Sequence, residues 1–235
     1  MAMTRLDKLL ADSGTVSRSE AKQLVRAGRV TVNGVVARSG DEKYDPGTAT
    51  ICVDGAELSC SARRYLMLYK PAGVLSATED AKQPTVLDLL PAQLRRQGLF
   101  PVGRLDKDTT GLLLLTNDGS FAHWVISPKQ QVPKVYRATV EGSLTQEDIL
   151  AFAAGLTLGD GTACLPARLE ILRPDLGQVT VFEGKYHQVK RMFAARGKHV
   201  TALHRVSVGG LELDAALAPG DFRELTSGEI DAVFL

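Results

Sequence analysis

Apolar residues recur along the chain at two periods, one near 3.6 and one near 2, as helices and half-buried strands respectively require. In "RLDKLLADSG", Leu6, Leu9 and Leu10 share one face of a short helix that ends at Gly14. In "SRSEAKQLVRAG", Ala21, Leu24 and Val25 form an apolar face, while Arg18, Lys22 and Arg26 recur at helical spacing on the other. Ser17 and Glu20 have capping-box spacing, in which hydroxyl and carboxylate satisfy free amides at a helix start, and Gly28 stands where a helix stops. "RVTVNGVV" then alternates, and its Asn33-Gly34 between β-branched residues predicts a hairpin with a primed turn. Asp45-Pro46-Gly47 marks a further turn.

Further along, "YLMLYK", "LLLLTND", "VYRATVEG", "ARLEIL" and "QVTVFEG" read as strands, and "TQEDILAFAAG" and "HQVKRMFAARG" as helices. Strands joined mostly by short turns, with helices interspersed irregularly, imply α+β architecture on a mainly antiparallel sheet. The pattern predicts a small N-terminal domain over residues 1–58, a linker over 59–63 that includes the stretch Ser59 to Ala62, and a larger domain over 64–235.

At 235 residues and 44% hydrophobic content the chain has ample material for a buried core. No apolar run approaches the roughly 20 residues of a membrane-spanning helix, and "MAMTRLDKLLADSG" lacks a signal peptide's apolar centre, so a cytoplasmic location without membrane partners is expected. Cys52, Cys60 and Cys164 form no CxxC pair, which argues against a disulfide framework and against zinc. The net charge is only +1, so any nucleic-acid partner must meet basic residues concentrated locally. They are concentrated: over residues 1–40 seven basic side chains face three acidic ones. Over residues 184–211 there is no acid at all, while Lys185, Lys190, Arg191, Arg196, Lys198 and Arg205 appear with three histidines. Either region alone reads as a solvated face; together they suggest two contacts to one polyanion.

"FPVGRLDKDTTGLLLLTNDG" sets Asp106 and Asp108 just ahead of four leucines. Three readings follow. In the plainest, either aspartate caps the loop or pairs with Arg104 or Lys107. In the second, Asp106, Asp108 and Thr110 match the DxDxT pattern of aspartate-phosphorylating phosphatases. Those enzymes place the apolar strand before the motif, whereas here it comes after. The third is a nucleophilic aspartate acting on a nucleotide without metal.

"GRLDKDTTGLLLLTNDG" closely resembles the central motif of RNA pseudouridine synthases. "YLMLYKPAGVLSAT", "KVYRATVEG", "EGKYHQVKRMFAARGKHV" and "LHRVSVGGL" resemble further motifs of that family, in its order. The two N-terminal helices and hairpin, roughly residues 4–50, resemble the S4 RNA-binding domain. The resemblance implies a small S4-like domain followed by a catalytic domain of the pseudouridine synthase fold, on a mainly antiparallel mixed sheet. It implies an isomerase: uridine's C1′–N1 bond breaks, the uracil turns in the site, and C1′ is rejoined to C5. No atom is gained or lost, so no cofactor and no metal are expected; neither G-x-G-x-x-G nor a P-loop occurs.

The same resemblance implies roles. Asp106 would be the catalytic nucleophile. A buried anion requires a cation nearby; "HQVKRM" would supply it from Lys190, with Arg191 next in line, and lysine here replaces the arginine of many relatives. Tyr136 would stack on the uracil and Leu203 pack against its other side, although alone each reads as core. Arg104 would occupy the space left by the flipped base. Lys70-Pro71 would serve structure or contact phosphate, while Asp108 and the two threonines would shape the loop through backbone amides. Arg5, Arg18, Lys22, Arg26 and Arg29 would contact RNA from the S4-like domain. The implied partner is 16S ribosomal RNA in a pre-ribosomal particle, because "YHQVKRMFAARGKHV" and "LAPGDFRELTSGEI" are closer to small-subunit enzymes, and a monomer is expected because nothing in the sequence marks a self-association surface. A large-subunit enzyme of the same branch and a non-catalytic RNA-binding assembly factor are the alternatives.

Overall fold

The computed structural model describes residues 3–13, 16–46, 48–58 and 63–235. Gly14, Gly47 and Ser59 to Ala62, at which the pattern placed a helix stop, part of a turn and most of a linker, lie outside the described residues. The chain divides into two compact units, one of residues 1–64 with 91–99 and 117–119, the other of the remainder.

The first unit runs β1 (Thr4–Arg5), α1 (Leu6–Asp12), α2 (Arg18–Arg26), β2 (Val30–Val32), β3 (Val35–Val36), β4 (Lys43–Tyr44), β5 (Ile51–Val53) and β6 (Ala56–Glu57). The capping box starts α2: the Glu20 amide donates to Ser17 Oγ at 3.2 Å and the Ser17 amide to Glu20 Oε2 at 2.7 Å. Asn33 and Gly34 both take positive φ, 51° and 81°, as a primed hairpin turn between β2 and β3 requires. Leu6, Leu9 and Leu10 of α1 meet Ala21 and Val25 of α2 and Val30, Val32 and Ile51 of the sheet in a buried core.

Chain order continues with β7 (Tyr65–Lys70), α3 (Ala92–Arg95), which belongs to the first unit, β8 (Phe100–Pro101), β9 (Thr110–Thr116), α4 (Gly119–Ile126), β10 (Lys134–Val140) and α5 (Gln146–Ala154). It ends with β11 (Arg168–Arg173), β12 (Leu176–Val181), α6 (Gln188–Ala195), β13 (Val200–Val208), β14 (Leu211–Glu212), β15 (Phe222–Glu224) and α7 (Ser227–Ala232). Among the described residues nine of these strands form one sheet, ordered β11-β12-β10-β13-β9-β7-β15, with β14 beside β13 and β8 beside β9. The fold is α+β, and among the described residues the strand pairings of this sheet are antiparallel except β9 with β13. No helix among the described residues is long and apolar enough to cross a membrane.

The leucine run lies in the interior of that sheet. Leu112, Leu113, Leu114 and Leu115 are each at most 1% exposed, so both faces of β9 are covered and the strand shows no alternation. Two elements escaped the pattern for opposite reasons. α4, "GSFAHWVI", is too uniformly apolar to display a polar face. β13 contains "LHRVSV", whose histidine and arginine interrupt the apolar signal of a nine-residue strand.

The parallel pairing of β9 and β13 sets His204 against Thr110 and Arg205 against Gly111. Gly111 has φ of 106°, and a Cβ there would stand 2.2 Å from the Arg205 carbonyl oxygen. Only glycine allows the two backbones to come this close. Gly111→Ala is expected to lower unfolding free energy by about 2–4 kcal/mol in urea titrations. Gly34→Ala, also at positive φ but with nothing within 4 Å, should lose only about 1 kcal/mol.

Candidate active site

The turn carrying Asp106 is built from beneath. Lys70, the last residue of β7, has no solvent exposure, and its Nζ donates to the carbonyl oxygens of Pro71 at 3.0 Å, Lys107 at 3.2 Å and Thr109 at 2.9 Å. The Gly73 amide donates to the same Lys107 oxygen at 2.8 Å. Ser76 Oγ both donates to the Leu105 carbonyl and accepts from the Leu105 amide, at 2.8 and 3.0 Å. Within the turn the Thr109 amide donates to the Asp106 carbonyl at 3.1 Å. Burial pushes the Lys70 ammonium down to about 8, against the pull of Asp108 and Asp106. The phosphate-contact reading of Lys70 is therefore corrected: the side chain is sealed inside and its donors face backbone carbonyls.

The Asp106 carboxylate is left facing a cleft whose wall includes Arg104, Tyr136, Glu183, His187, Val189 and Leu203. Lys190 Nζ stands 3.4 Å from Asp106 Oδ2 and His187 Nε2 stands 3.4 Å from Asp106 Oδ1. Lys190 is nearer to Asp108, donating to its Oδ1 at 2.5 Å, and that hydrogen bond holds the Asp108 carboxyl below the usual carboxylate range. Asp108 thus fixes the ammonium that faces Asp106, in addition to any part in shaping the turn. The division of labour has a chemical consequence. Asp106 has a neighbouring positive charge, yet the short hydrogen bond that would quench its oxygen goes to Asp108.

Arg191 lies elsewhere. Its guanidinium pairs with Asp160 Oδ2 at 2.5 Å and donates to the Tyr186 carbonyl at 3.2 Å, because one helical residue turns it away from its neighbour Lys190. Thr162 and Arg191 together hold the Asp160 carboxyl down at about 2. Of the two basic residues considered as the partner of Asp106, the geometry brings Lys190 to it and leaves Arg191 on an acid outside the cleft wall.

α6 presents Lys190 because Val189, Met192 and Phe193 are buried in a core with Phe152, Val179, Val181 and Leu203. Tyr136 of β10 is half-buried against that core, and Leu203 of β13 is 6% exposed within it. Arg104 is exposed at the cleft. Arg205, counted from sequence only as one positive charge, is buried: Nε donates to the Leu112 carbonyl at 2.7 Å and Nη1 to the Tyr136 hydroxyl at 3.4 Å. Glu183 was also overlooked. Its Oε1 accepts from the Leu165 amide at 2.9 Å and from Gln188 Nε2 at 2.8 Å, and its other oxygen pairs with Lys185. Its one sequence signal was an acid bordering an acid-free stretch. The helix expected from His187 begins one residue later, and His187 itself is left-handed at φ 46°.

In the first unit, Arg18, Lys22 and Arg26 lie exposed along α2. Arg5 pairs with Asp7 and Asp41, and Arg29 donates to Asp54 at 2.7 Å, so each carries its own counter-charge. Among the described residues no group of three His, Cys, Asp or Glu side chains is disposed to hold a metal ion.

The family described as RNA pseudouridylate synthase matches residues 64–195, and the S4 domain matches residues 4–49. This chain belongs to the RNA pseudouridylate synthase family. It is 48% identical over 230 residues to an uncharacterized RNA pseudouridine synthase of Bacillus subtilis, covering 96% of both chains. It is 43% identical over 231 residues to ribosomal small subunit pseudouridine synthase A of Escherichia coli, covering 97% of this chain and 99% of that one. A crystal structure of a pseudouridylate synthase superposes with a TM-score of 0.72 at 37% identity, over 97% of this chain and 99% of the other. The protein is thus an RNA pseudouridine synthase, an isomerase, and the phosphatase reading of the two aspartates is set aside.

For this synthase, Lys70→Met should remove the ammonium that donates to the Pro71, Lys107 and Thr109 carbonyls, leaving the Lys107 oxygen with the Gly73 amide, and cost about 2–4 kcal/mol of stability. The pH dependence has a definite sign. The native lysine loses its proton near 8 and an unfolded one near 10.5, so across that window the unfolded chain binds more protons and this residue favours folding increasingly as pH rises. Urea titrations of wild type and variant between those limits should show wild type gaining relative to Lys70→Met.

Proposed function

We propose that the protein converts a uridine of small-subunit ribosomal RNA to pseudouridine in the cytoplasm, with Asp106 as nucleophile. The observation that carries this reading is the Asp106 carboxylate in a cleft, 3.4 Å from the Lys190 ammonium, beside Tyr136 and Leu203. A uridine reaches such a cleft only when flipped out of its stack. Arg104 is placed to occupy the vacated space, the Tyr136 ring offers a planar surface to uracil, and Leu203 closes the apolar side. Asp106 supplies the anion that drives cleavage of the C1′–N1 bond, and Lys190 balances that anion until the bond to C5 forms. Attack at C1′, addition at C6 and elimination to a glycal all use the same carboxylate. The small-subunit target is supported by the names of relatives such as that of Escherichia coli and by their near-complete coverage of this chain.

The test is to incubate the protein with unmodified small- and large-subunit rRNA and to map pseudouridine by carbodiimide-blocked reverse transcription. One new stop in small-subunit RNA is expected, unaffected by a chelator and lost in Asp106→Asn; a stop in large-subunit RNA alone would overturn the target, and modification persisting in Asp106→Asn would overturn the nucleophile.

The exposed face of α2 generates a second expectation. Replacing Arg18 and Arg26 by glutamine should weaken rRNA binding and reduce the slope of log affinity against log salt by roughly one to two. Arg29→Gln should change that slope less, because Asp54 already neutralises it.

A further inference from the structure

Tyr186 is 70% exposed, although its neighbours Glu183, Gln188 and Val189 are buried. Burial gives no reason for an aromatic ring there. His187 follows it at φ 46° and ψ 36°, a conformation in which a side chain crowds the backbone and which histidine adopts uncommonly. The left-handed turn achieves two contacts at once. It lays the imidazole flat on the Tyr186 ring, with centroids 3.8 Å apart and planes 19° from parallel, and it brings His187 Nε2 to 3.4 Å from Asp106 Oδ1. Arg191 fixes the backbone at this point by donating to the Tyr186 carbonyl at 3.2 Å. One face of the tyrosine ring is therefore covered by a residue of the cleft wall, and the ring is otherwise turned to solvent.

An aromatic stack that begins beside the nucleophile and ends on an open ring face is chemically suited to one further planar group. Resting on the proposed isomerisation of a flipped uridine, we infer that Tyr186 is the platform on which the base adjacent to that uridine stacks, so that the RNA is gripped there as an unpaired strand. The surrounding charges favour stacking over phosphate contact. Lys185 is paired with Glu183, Lys190 with Asp108 and Arg191 with Asp160, so each of these three cations already has an acidic partner. Affinity at this point comes from the ring, and salt has little hold on it.

The probe is a short fluorescein-labelled RNA carrying a single uridine between adenosines, together with versions abasic on the 5′ or the 3′ side of the uridine, titrated by anisotropy. Tyr186→Ala should weaken binding of the intact RNA about tenfold, by the same factor at low and high salt, with Phe and Trp variants close to wild type. One of the two abasic RNAs should bind wild type about as weakly as the intact RNA binds the Ala variant, and the Ala variant should bind that abasic RNA no more weakly still. Equal affinity of wild type and Tyr186→Ala for the intact RNA, or an undiminished Ala effect on both abasic RNAs, overturns the inference. A loss that shrinks sharply with salt also overturns it, because that marks an electrostatic contact. Circular dichroism and Tm of each variant establish that this surface substitution leaves the fold intact. Pseudouridine formation is measured in the rRNA assay described above. Activity there with no coupling to the abasic RNAs defeats the platform alone, whereas coupling without any pseudouridine defeats the isomerase reading alone.

Discussion

A single buried ammonium organises the site. Lys70 reaches under the turn from the end of β7 and takes up the carbonyls of Lys107 and Thr109, just after Asp106, together with that of its own neighbour Pro71. Burying a lysine is unfavourable unless its donors are satisfied, and here the strain of desolvation shows in a proton held less tightly than usual. The return on that burial is geometric. A turn of charged and small polar residues, which would otherwise sample many shapes, is tied to the end of β7, the strand that pairs with the leucine run of β9.

Above the turn the electrostatics are graded. Lys190 makes its hydrogen bond with Asp108 and stands farther from Asp106, so one cation serves one carboxylate as a tether and the other as a field. An ion pair with two equal short bonds would hold the Asp106 oxygens more tightly than Lys190 does at 3.4 Å. Arg205 of β13 plays a corresponding part for the facing wall, joining the Tyr136 hydroxyl of β10 to the Leu112 carbonyl of β9.

Much of this was legible in the sequence, for identifiable reasons. The capping box at Ser17, the turn at Asn33-Gly34 and the amphipathic α6 declare themselves because each depends on residues within a few positions of one another. The ordered motifs made the family readable, since short turns preserve their spacing. What stayed hidden depends on partners distant in the chain. Nothing in "HRV" shows that Arg205 donates to a carbonyl 93 positions away, and nothing in "YK" shows that Lys70 is sealed beneath residues 107 and 109. Asp108 was read as a local loop former because its real partner, Lys190, is 82 positions later. Arg191 was kept beside Lys190 because helical spacing alone leaves adjacent residues hard to separate, while Asp160, which claims it, lies in a loop without a pattern.

The one parallel seam of the larger sheet has a bearing on substrate fit. Asp106 belongs to the half that contains β7 and β9, whereas Tyr136 and Leu203 belong to the half that contains β10 and β13. Among the described residues, β9 and β13 pair side by side at Thr110 with His204 and at Gly111 with Arg205. The spacing between the Asp106 turn and the wall of Tyr136 and Leu203 is accordingly a property of this join, and the missing side chain at Gly111 acts as a spacer of zero thickness between the two halves.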